Sequence, residues 1–306
     1  MIYWQAEEPL PREFSHCAAT IGNFDGVHKG HAAIVSRLKI RTRPSVVFTF
    51  SPHPRQILRP ESAPPLLTRD ERKVELLKSL GVDLVVICKP QRLLEWSPEE
   101  FFRRIVVEYL HAEMLSEGEN FHFGKNRSGN TQVLKRLCHD AGVVLHIAPS
   151  FRMPSGEKVS STKIRELLEA GDVERANAML IQPYRIEGVV GHGLARGRTL
   201  GFRTANLVDV ETLVPGSGAY ACWAYFEGKR HAAAISVGPN VTFGENQTKI
   251  EIHLLDFEGD IYGKRMEVEF IAKLRDLVVF DSKEALSAQI EKDIQTTRTL
   301  LQQETQ

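Results

Sequence analysis

The chain has 306 residues, 42% of them hydrophobic and 25% charged, with 39 basic residues against 39 acidic ones. That length and composition suit a folded protein of one large or two ordinary domains. The balanced charge argues against nucleic acid or an anionic membrane as the main partner, and no apolar run approaches the length of a membrane span. The first eight residues are acidic and lack a signal-peptide core, and four scattered cysteines (Cys17, Cys88, Cys138, Cys222) fit reduced thiols rather than a disulfide framework. The expected location is the cytoplasm. Oligomeric state is left open by the sequence, a weak homo-oligomer included.

In chain order, Ala18-Ala19-Thr20-Ile21 reads as a short buried strand, followed by the turn Gly22-Asn23-Phe24-Asp25-Gly26. Gly22 and Gly26 let the backbone turn tightly and let a phosphate approach the main chain. Ile34, Val35 and Leu38 then share one helical face, which places a helix start near His28 or Lys29. The first turn of that helix offers free N–H groups and a positive dipole end to an anion, and His28 and His31 are i, i+3 neighbours on it. Histidines there can donate hydrogen bonds to charge developing on a phosphoryl group. Taken alone, His-x-Gly-His would equally be two surface histidines on a polar helix start. A metal-ligand reading lacks a neighbouring Cys or His cluster of zinc spacing.

Pro44 to Phe50 reads as a second strand, running into Ser51-Pro52-His53-Pro54. Thr68 to Leu80 reads as a helix with a Thr68/Glu71 capping box, and Val82 to Ile87 as a third strand. Ser97-Pro98 caps a helix through Phe101, Ile105, Val106 and Leu110; a further helix spans Asn130 to Ala141 and a strand spans Val143 to Ile147. Strands alternating with helices imply a parallel sheet covered on both faces. Ligands of such sheets bind beyond the carboxyl ends of the strands, where His28, His31 and His53 fall. The prolines flanking His53 could make it a rigid loop residue; its place after a strand end favours a ligand contact.

Ser160-Ser161-Thr162-Lys163-Ile164-Arg165 opens another helix. One hydroxyl would be enough for capping; three hydroxyls with Arg165 suit a phosphate clamp. After Gln182-Pro183-Tyr184 the texture changes. Ile186 to Val190, Gly218 to Phe226, His231 to Val237, Lys249 to Asp256 and Arg265 to Ile271 read as strands separated by glycine turns, hence a small antiparallel barrel. Ser282 to Leu301 closes the chain as an amphipathic helix. The expected fold class is therefore an α/β, Rossmann-like parallel-sheet domain over 1–183, followed by a β-barrel domain with a terminal helix over 184–306.

These blocks, in this order, make the chain resemble the bacterial bifunctional riboflavin kinase/FAD synthetase family over essentially its whole length. The resemblance rests on residues 22–31, Thr49 to Pro54, Gly118 to Gly129 and Ser160 to Arg165 in the first half. In the second it rests on Gly197 to Asn206, Glu251-Ile252-His253-Leu254, Tyr262-Gly263-Lys264-Arg265 and Leu274-Arg275-Asp276. It implies a nucleotidyltransferase domain followed by a riboflavin-kinase barrel. The activities would be ATP-dependent phosphorylation of riboflavin to FMN, with ADP released, and adenylylation of FMN to FAD, with pyrophosphate released. Both steps would use Mg²⁺, with no permanently bound cofactor.

By the same resemblance, His28 and His31 bind the ATP phosphates and stabilise the adenylyl-transfer transition state. Ser160, Ser161, Thr162 and Arg165 hold phosphates. Gly22, Asn23, Phe24 and Asp25 form the nucleotide loop, with Asp25 fixing the turn rather than touching magnesium. His53, Asn120, Phe121 and Arg127 lie around the adenosine and flavin pockets. In the barrel, Glu251 is the base or orienter for the riboflavin 5′-hydroxyl. Strand alternation alone would equally make it a solvent-facing glutamate. Thr204 and Asn206 are hard oxygen donors suited to Mg²⁺. Gly193, Gly197 and Gly201 around Arg198 make a loop suited to phosphates.

The chain departs from the family pattern at three points. It has Asn120 where the family commonly carries Asp. It reads Arg203-Thr204-Ala205-Asn206 where the family reads Pro-Thr-Ala-Asn, and Val241 stands where proline is usual. Arginine does not fix φ as proline does, and it sets a cation beside an expected metal ligand. The expectation is an active kinase with weaker Mg·ATP binding. A second reading is an FAD synthetase whose barrel is catalytically weakened and serves as a flavin-binding or regulatory module. A monofunctional nucleotidyltransferase would not need the barrel motifs.

Overall fold

The computed structural model describes residues 1–4, 9–39, 42–191, 202–239 and 248–304, which fall into two compact units. Unit 1 comprises Met1–Pro65 and Arg69–Ser160; unit 2 comprises Leu66–Thr68 and Ser161–Gln306.

Unit 1 is built on six parallel strands: β1 (Ile2–Tyr3), β2 (Ala18–Gly22), β3 (Ser45–Phe50), β4 (Leu84–Cys88), β5 (Met114–Gly118) and β6 (Val144–Ala148), in spatial order β1-β4-β3-β2-β5-β6. The near-continuous apolar runs of β3 and β4 are buried along their length, as strands covered on both faces must be. The chain builds outward from β2 through β3 and β4, then crosses to β5 and β6 on the other side. The topological switch point therefore lies between β2 and β5, where such sheets bind ligands. Neither β1 nor β5 is marked by the sequence pattern. β5 reads Met-Leu-Ser-Glu-Gly, with a glutamate inside a buried strand.

Helices α1 (Lys29–Ser36), α2 (Pro54–Leu58), α3 (Asp70–Ser79), α4 (Pro98–Phe101) and α5 (Thr131–Ala141) connect the strands. Ser97 caps α4 through its hydroxyl to Glu100 N–H at 3.1 Å. Asn130 caps α5 by accepting from the N–H groups of Gln132 and Val133 at 3.0 and 3.1 Å. The chain leaves α5 through Gly142 at φ +69°. Two expectations need correction. The capping box of Thr68 and Glu71 does not form: α3 begins at Asp70 with Arg69 in the cap position. Leu66–Thr68 pairs instead with the second unit, where Leu66 bridges Thr212 and its carbonyl accepts from Leu213 N–H at 2.8 Å. The helix expected through Leu110 is α-helical only to Phe101 and continues as a π-helix over Phe102–Tyr109.

Unit 2 is a closed antiparallel barrel of β7 (Arg185–Gly191), β8 (Ala205–Val208), β9 (Gly218–Phe226), β10 (Lys229–Pro239), β11 (Thr248–Leu254) and β12 (Arg265–Arg275), in the order β10-β11-β8-β7-β12-β9. Alternation is clean in β11, where Ile250, Ile252 and Leu254 are buried and Lys249, Glu251 and His253 are half-buried on the outer face. β8 is the strand not anticipated, four residues long and beginning within the Arg-Thr-Ala-Asn block. Helices α6 (Ser161–Glu169) and α7 (Val173–Met179) are tied to the barrel: Asn177 Nδ2 donates to Phe270 O at 2.8 Å and Glu174 accepts from Lys273 N–H at 2.9 Å. The C-terminal helix Lys283–Glu304 docks through Asp293, which receives the Arg275 guanidinium at 2.8–3.2 Å.

Candidate active sites

The carboxyl end of β2 carries the first site. The loop from Gly22 to Val27 holds non-glycine residues at positive φ: Phe24 at +49° and Val27 at +22°. A β-branched residue there is strained, and burial holds it: Phe24 is 2% exposed and Val27 fully buried. Phe24 thus shapes the loop from inside, with its ring 5.0 Å from that of His31 and under Gly22. Asp25 is buried within the turn, and Gly26 takes φ +81°.

The two histidines cap α1 reciprocally. His31 N–H donates to His28 Nδ1 at 3.2 Å, and His28 N–H donates to His31 Nδ1 at 3.3 Å; the rings stack at 3.6 Å and 9°. A backbone N–H can only donate, so both Nδ1 atoms are unprotonated and both rings are neutral, with the proton on Nε2. Burial agrees with this. It lowers the His28 pKa to about 4, and it lowers that of His31 well below its ordinary value, helped by His28 and Lys73. The glycine between the histidines has a steric reason: a Cβ on Gly30 would lie 3.1 Å from His28 Nδ1 and Cε1.

The neighbouring loops pin this segment. Thr49 Oγ1 donates to Asn23 O at 3.1 Å, and the Asn23 amide lies 3.0 Å from His53 Nε2. His53 caps α2 by accepting Arg55 N–H at Nδ1 at 3.0 Å, so its proton also sits on Nε2. Asn23 must then present its oxygen to His53 and its NH₂ to the other side. That orientation leaves the NH₂, instead of the oxygen, in the buried position that has no partner.

Two groups that the sequence reading passed over lie beside this edge. Lys73 of α3 is 4% exposed; its ammonium donates to Asp70 at 3.2 Å and to Phe50 O, at the end of β3, at 3.4 Å. Its signal was a lysine on the apolar face of α3, three and four residues before Leu76 and Leu77. Glu117 of β5 is 2% exposed and accepts from Ile21 N–H at 2.7 Å and Thr20 Oγ1 at 3.5 Å. Burial pushes its carboxyl well above the usual range.

The remaining residues expected at the first site lie past β5. Asn120 donates to Ser150 Oγ at 3.4 Å, Phe121 stacks on Phe123 at 5.4 Å, and Arg127 is exposed on a short 3₁₀ turn. Ser160 precedes α6, Ser161 and Thr162 form its first turn, and Arg165 is 9% exposed one turn on.

The barrel site is set by register. Glu251 on β11 is the direct cross-strand partner of Asn206 on β8, so the two side chains share the outer face. Thr204 lies two residues before Asn206, just ahead of β8, and is half-buried. Arg203 is exposed, and its carbonyl accepts from His253 Nδ1 at 2.9 Å. Gly193, Gly197, Arg198, Gly201 and Val241 lie outside the described residues.

A parallel sheet with a histidine-capped helix at its switch point, continued by a closed barrel bearing a Glu/Asn/Thr cluster, defines a two-part enzyme of phosphoryl chemistry. Comparison with known proteins gives the family. Residues 10–163 match FAD synthetase and residues 180–301 match riboflavin kinase. The chain is 38% identical, over 95% of both chains, to the bifunctional riboflavin kinase/FMN adenylyltransferase of Pseudomonas fluorescens. It is 33% identical to that of Escherichia coli K12 over 92% of both. A crystal structure of a macrolide-efflux protein from Streptococcus pneumoniae superimposes with a TM-score of 0.86 at 29% identity, over 97% of this chain and 99% of that one. No helix among the described residues is long and apolar enough to cross a membrane.

The chain belongs to the bifunctional riboflavin kinase/FMN adenylyltransferase family. It is an enzyme of flavin cofactor synthesis, phosphorylating riboflavin to FMN and adenylylating FMN to FAD. Both halves match, and nothing favours a barrel reduced to a binding module.

Proposed function

We propose that adenylyl transfer takes place over the Gly22–His31 loop and riboflavin phosphorylation over the outer barrel face at Glu251. The observation that carries the first assignment is the reciprocal histidine cap, which leaves two neutral Nε2–H donors at a helix start. In adenylyl transfer the FMN phosphate attacks the α-phosphorus of ATP and pyrophosphate leaves. Positioning and charge stabilisation supply most of the catalysis. His28 and His31 donate to phosphate oxygens as neutral groups. The positive charge must come from elsewhere: Lys73 is already paired with Asp70, so Arg165 carries it, with the Ser160–Thr162 hydroxyls as further phosphate ligands. Gly22, Asn23, Phe24 and Asp25 shape the loop. Asn23 ties the loop to His53, and Asn120, Phe121 and Arg127 line the adenosine and flavin side.

In the barrel, Glu251 takes or orients the proton of the riboflavin 5′-hydroxyl. Thr204 and Asn206 offer hard oxygens beside it, a donor set that suits Mg²⁺ with retained waters. When bound there, the ion would neutralise charge on the ATP phosphates. Gly193, Gly197, Arg198 and Gly201 complete the phosphate side. The exposed position of Arg203 supports an active kinase. We take 1–183 as the adenylyltransferase half and 184–306 as the kinase half. Four buried free thiols support a cytoplasmic setting.

The deciding experiment incubates the protein with riboflavin, ATP and Mg²⁺ and separates riboflavin, FMN and FAD over time, alongside H28A/H31A and E251Q variants. H28A/H31A should accumulate FMN without FAD, and E251Q should convert supplied FMN but not riboflavin. Loss of the opposite activity in either variant would overturn the assignment of sites.

A further inference from the structure

Strand β2 pairs with β3 as far as Gly22 and Thr49, and β5 pairs with β6 as far as Gly118 and Ala148. Between β2 and β5 the pairing stops early, at Ala18 with Met114 and Ala19 with Leu115. The two strands therefore part over their carboxyl-terminal halves, and this parting is the switch-point crevice. Ile21 N–H, inside it, has no strand carbonyl to meet. Glu117 Oε1 takes that place at 2.7 Å and also accepts from Thr20 Oγ1.

We propose that Glu117 is a positioning residue for adenylyl transfer: its carboxyl spans the opening between β2 and β5 and fixes the backbone at Thr20 and Ile21, from which the loop bearing Asn23 and His28 departs. An apolar side chain would close the fold equally well but would leave Ile21 N–H buried without an acceptor. A carboxyl is costly to bury, and the environment shows it. Burial drives the group toward its neutral form, the two hydrogen bonds oppose this only in part, and the titratable neighbour is the Cys138 thiol of α5. A neutral acid and an amide are near-isosteric acceptors at Oε1, so glutamine should reproduce the role and leucine should not.

The proposal rests on placing adenylylation at this loop, and the test separates the two. In the full chain, FMN adenylylation and riboflavin phosphorylation are measured on the same preparations of wild type, E117Q and E117L, with amide hydrogen exchange over residues 18–31. E117Q is expected to keep kcat for adenylylation within about threefold. E117L should lose about tenfold or more in kcat, with a smaller change in KM for ATP, faster exchange at Ile21, and kinase activity within about twofold. An E117L enzyme adenylylating FMN at the wild-type rate would overturn the proposal, as would E117L losing both activities together. If E117L does not fold, E117Q decides: retained rate and slow exchange at Ile21 support the role, and a tenfold selective loss refutes it. Failure of the site assignment itself would appear separately, as a wild-type FAD synthesis rate insensitive to H28A/H31A.

Discussion

Gly30→Ala tests the histidine cap most directly, because stability and activity should respond differently. Alanine is favoured over glycine in a helix by roughly 0.5–1 kcal/mol, less in the first turn where residue 30 sits. Against that, the new Cβ would stand 3.1 Å from Nδ1 and Cε1 of His28. Restoring ordinary contact near 3.5 Å requires the ring to move by about 0.4 Å. The movement weakens the 3.2 Å bond from His31 N–H, a cap worth about 1 kcal/mol. The two terms offset each other, so Tm should change by no more than about 3 °C. Activity has no such offset. A displacement of about 1 Å at a reacting site costs on the order of 100-fold, so a shift of about 0.4 Å should cost about tenfold in kcat, or about 1.4 kcal/mol. The assay is initial-rate FAD formation from supplied FMN and ATP, with riboflavin phosphorylation as the internal control. An unchanged adenylylation rate would refute the reasoning. A selective tenfold loss at constant Tm would support it.

The histidine pair also sets a pH dependence. His28 has its folded pKa lowered by burial from 6.5 to about 4, so the unfolded chain binds the extra proton first. Its contribution is fully present above about pH 6.5 and is lost as pH falls toward 4, on the order of 3 kcal/mol in all. Thermal melts from pH 8 to 4 should show this slope in wild type and a flatter one in H28N. E251Q should lower riboflavin phosphorylation by about 10²–10⁴-fold, the range for loss of a general base, with adenylylation of supplied FMN unchanged. T204V should raise the Mg²⁺ concentration needed for half-maximal phosphorylation, read by a magnesium titration at fixed ATP. D293A removes the carboxylate that takes three contacts from the partly buried Arg275, and should destabilise by about 2 kcal/mol, visible in a denaturant melt.

Local chemistry makes much of this protein legible in its sequence. The apolar runs of β3 and β4, the Ser97 cap, the helix expected from Asn130 to Ala141 and the alternation of β11 are short-range patterns, and each forms where its residues indicate. The Gly22–His31 block likewise marked a strand-turn-helix unit through its glycines and its i, i+3 histidines. Sequence also carried the family, because ordered motifs run the full length of the chain.

Tertiary structure decided what depends on partners distant in sequence. β5 and β8 are too short or too polar to announce themselves and exist because neighbouring strands pair with them. Thr68 fails to cap α3 because Leu66–Thr68 is drawn to Thr212 and Leu213 by backbone pairing. The protonation state of His28 and His31 followed only from the mutual N–H bonds and the burial of the stacked rings. Glu117 and Glu251 make the point most sharply. Each is a glutamate within a strand, and alternation cannot tell them apart. One is buried and accepts a backbone N–H; the other lies on an outer face opposite Asn206. Residue type and spacing define which elements form. Desolvation and register, which only the assembled sheet supplies, determine what each carboxylate can do.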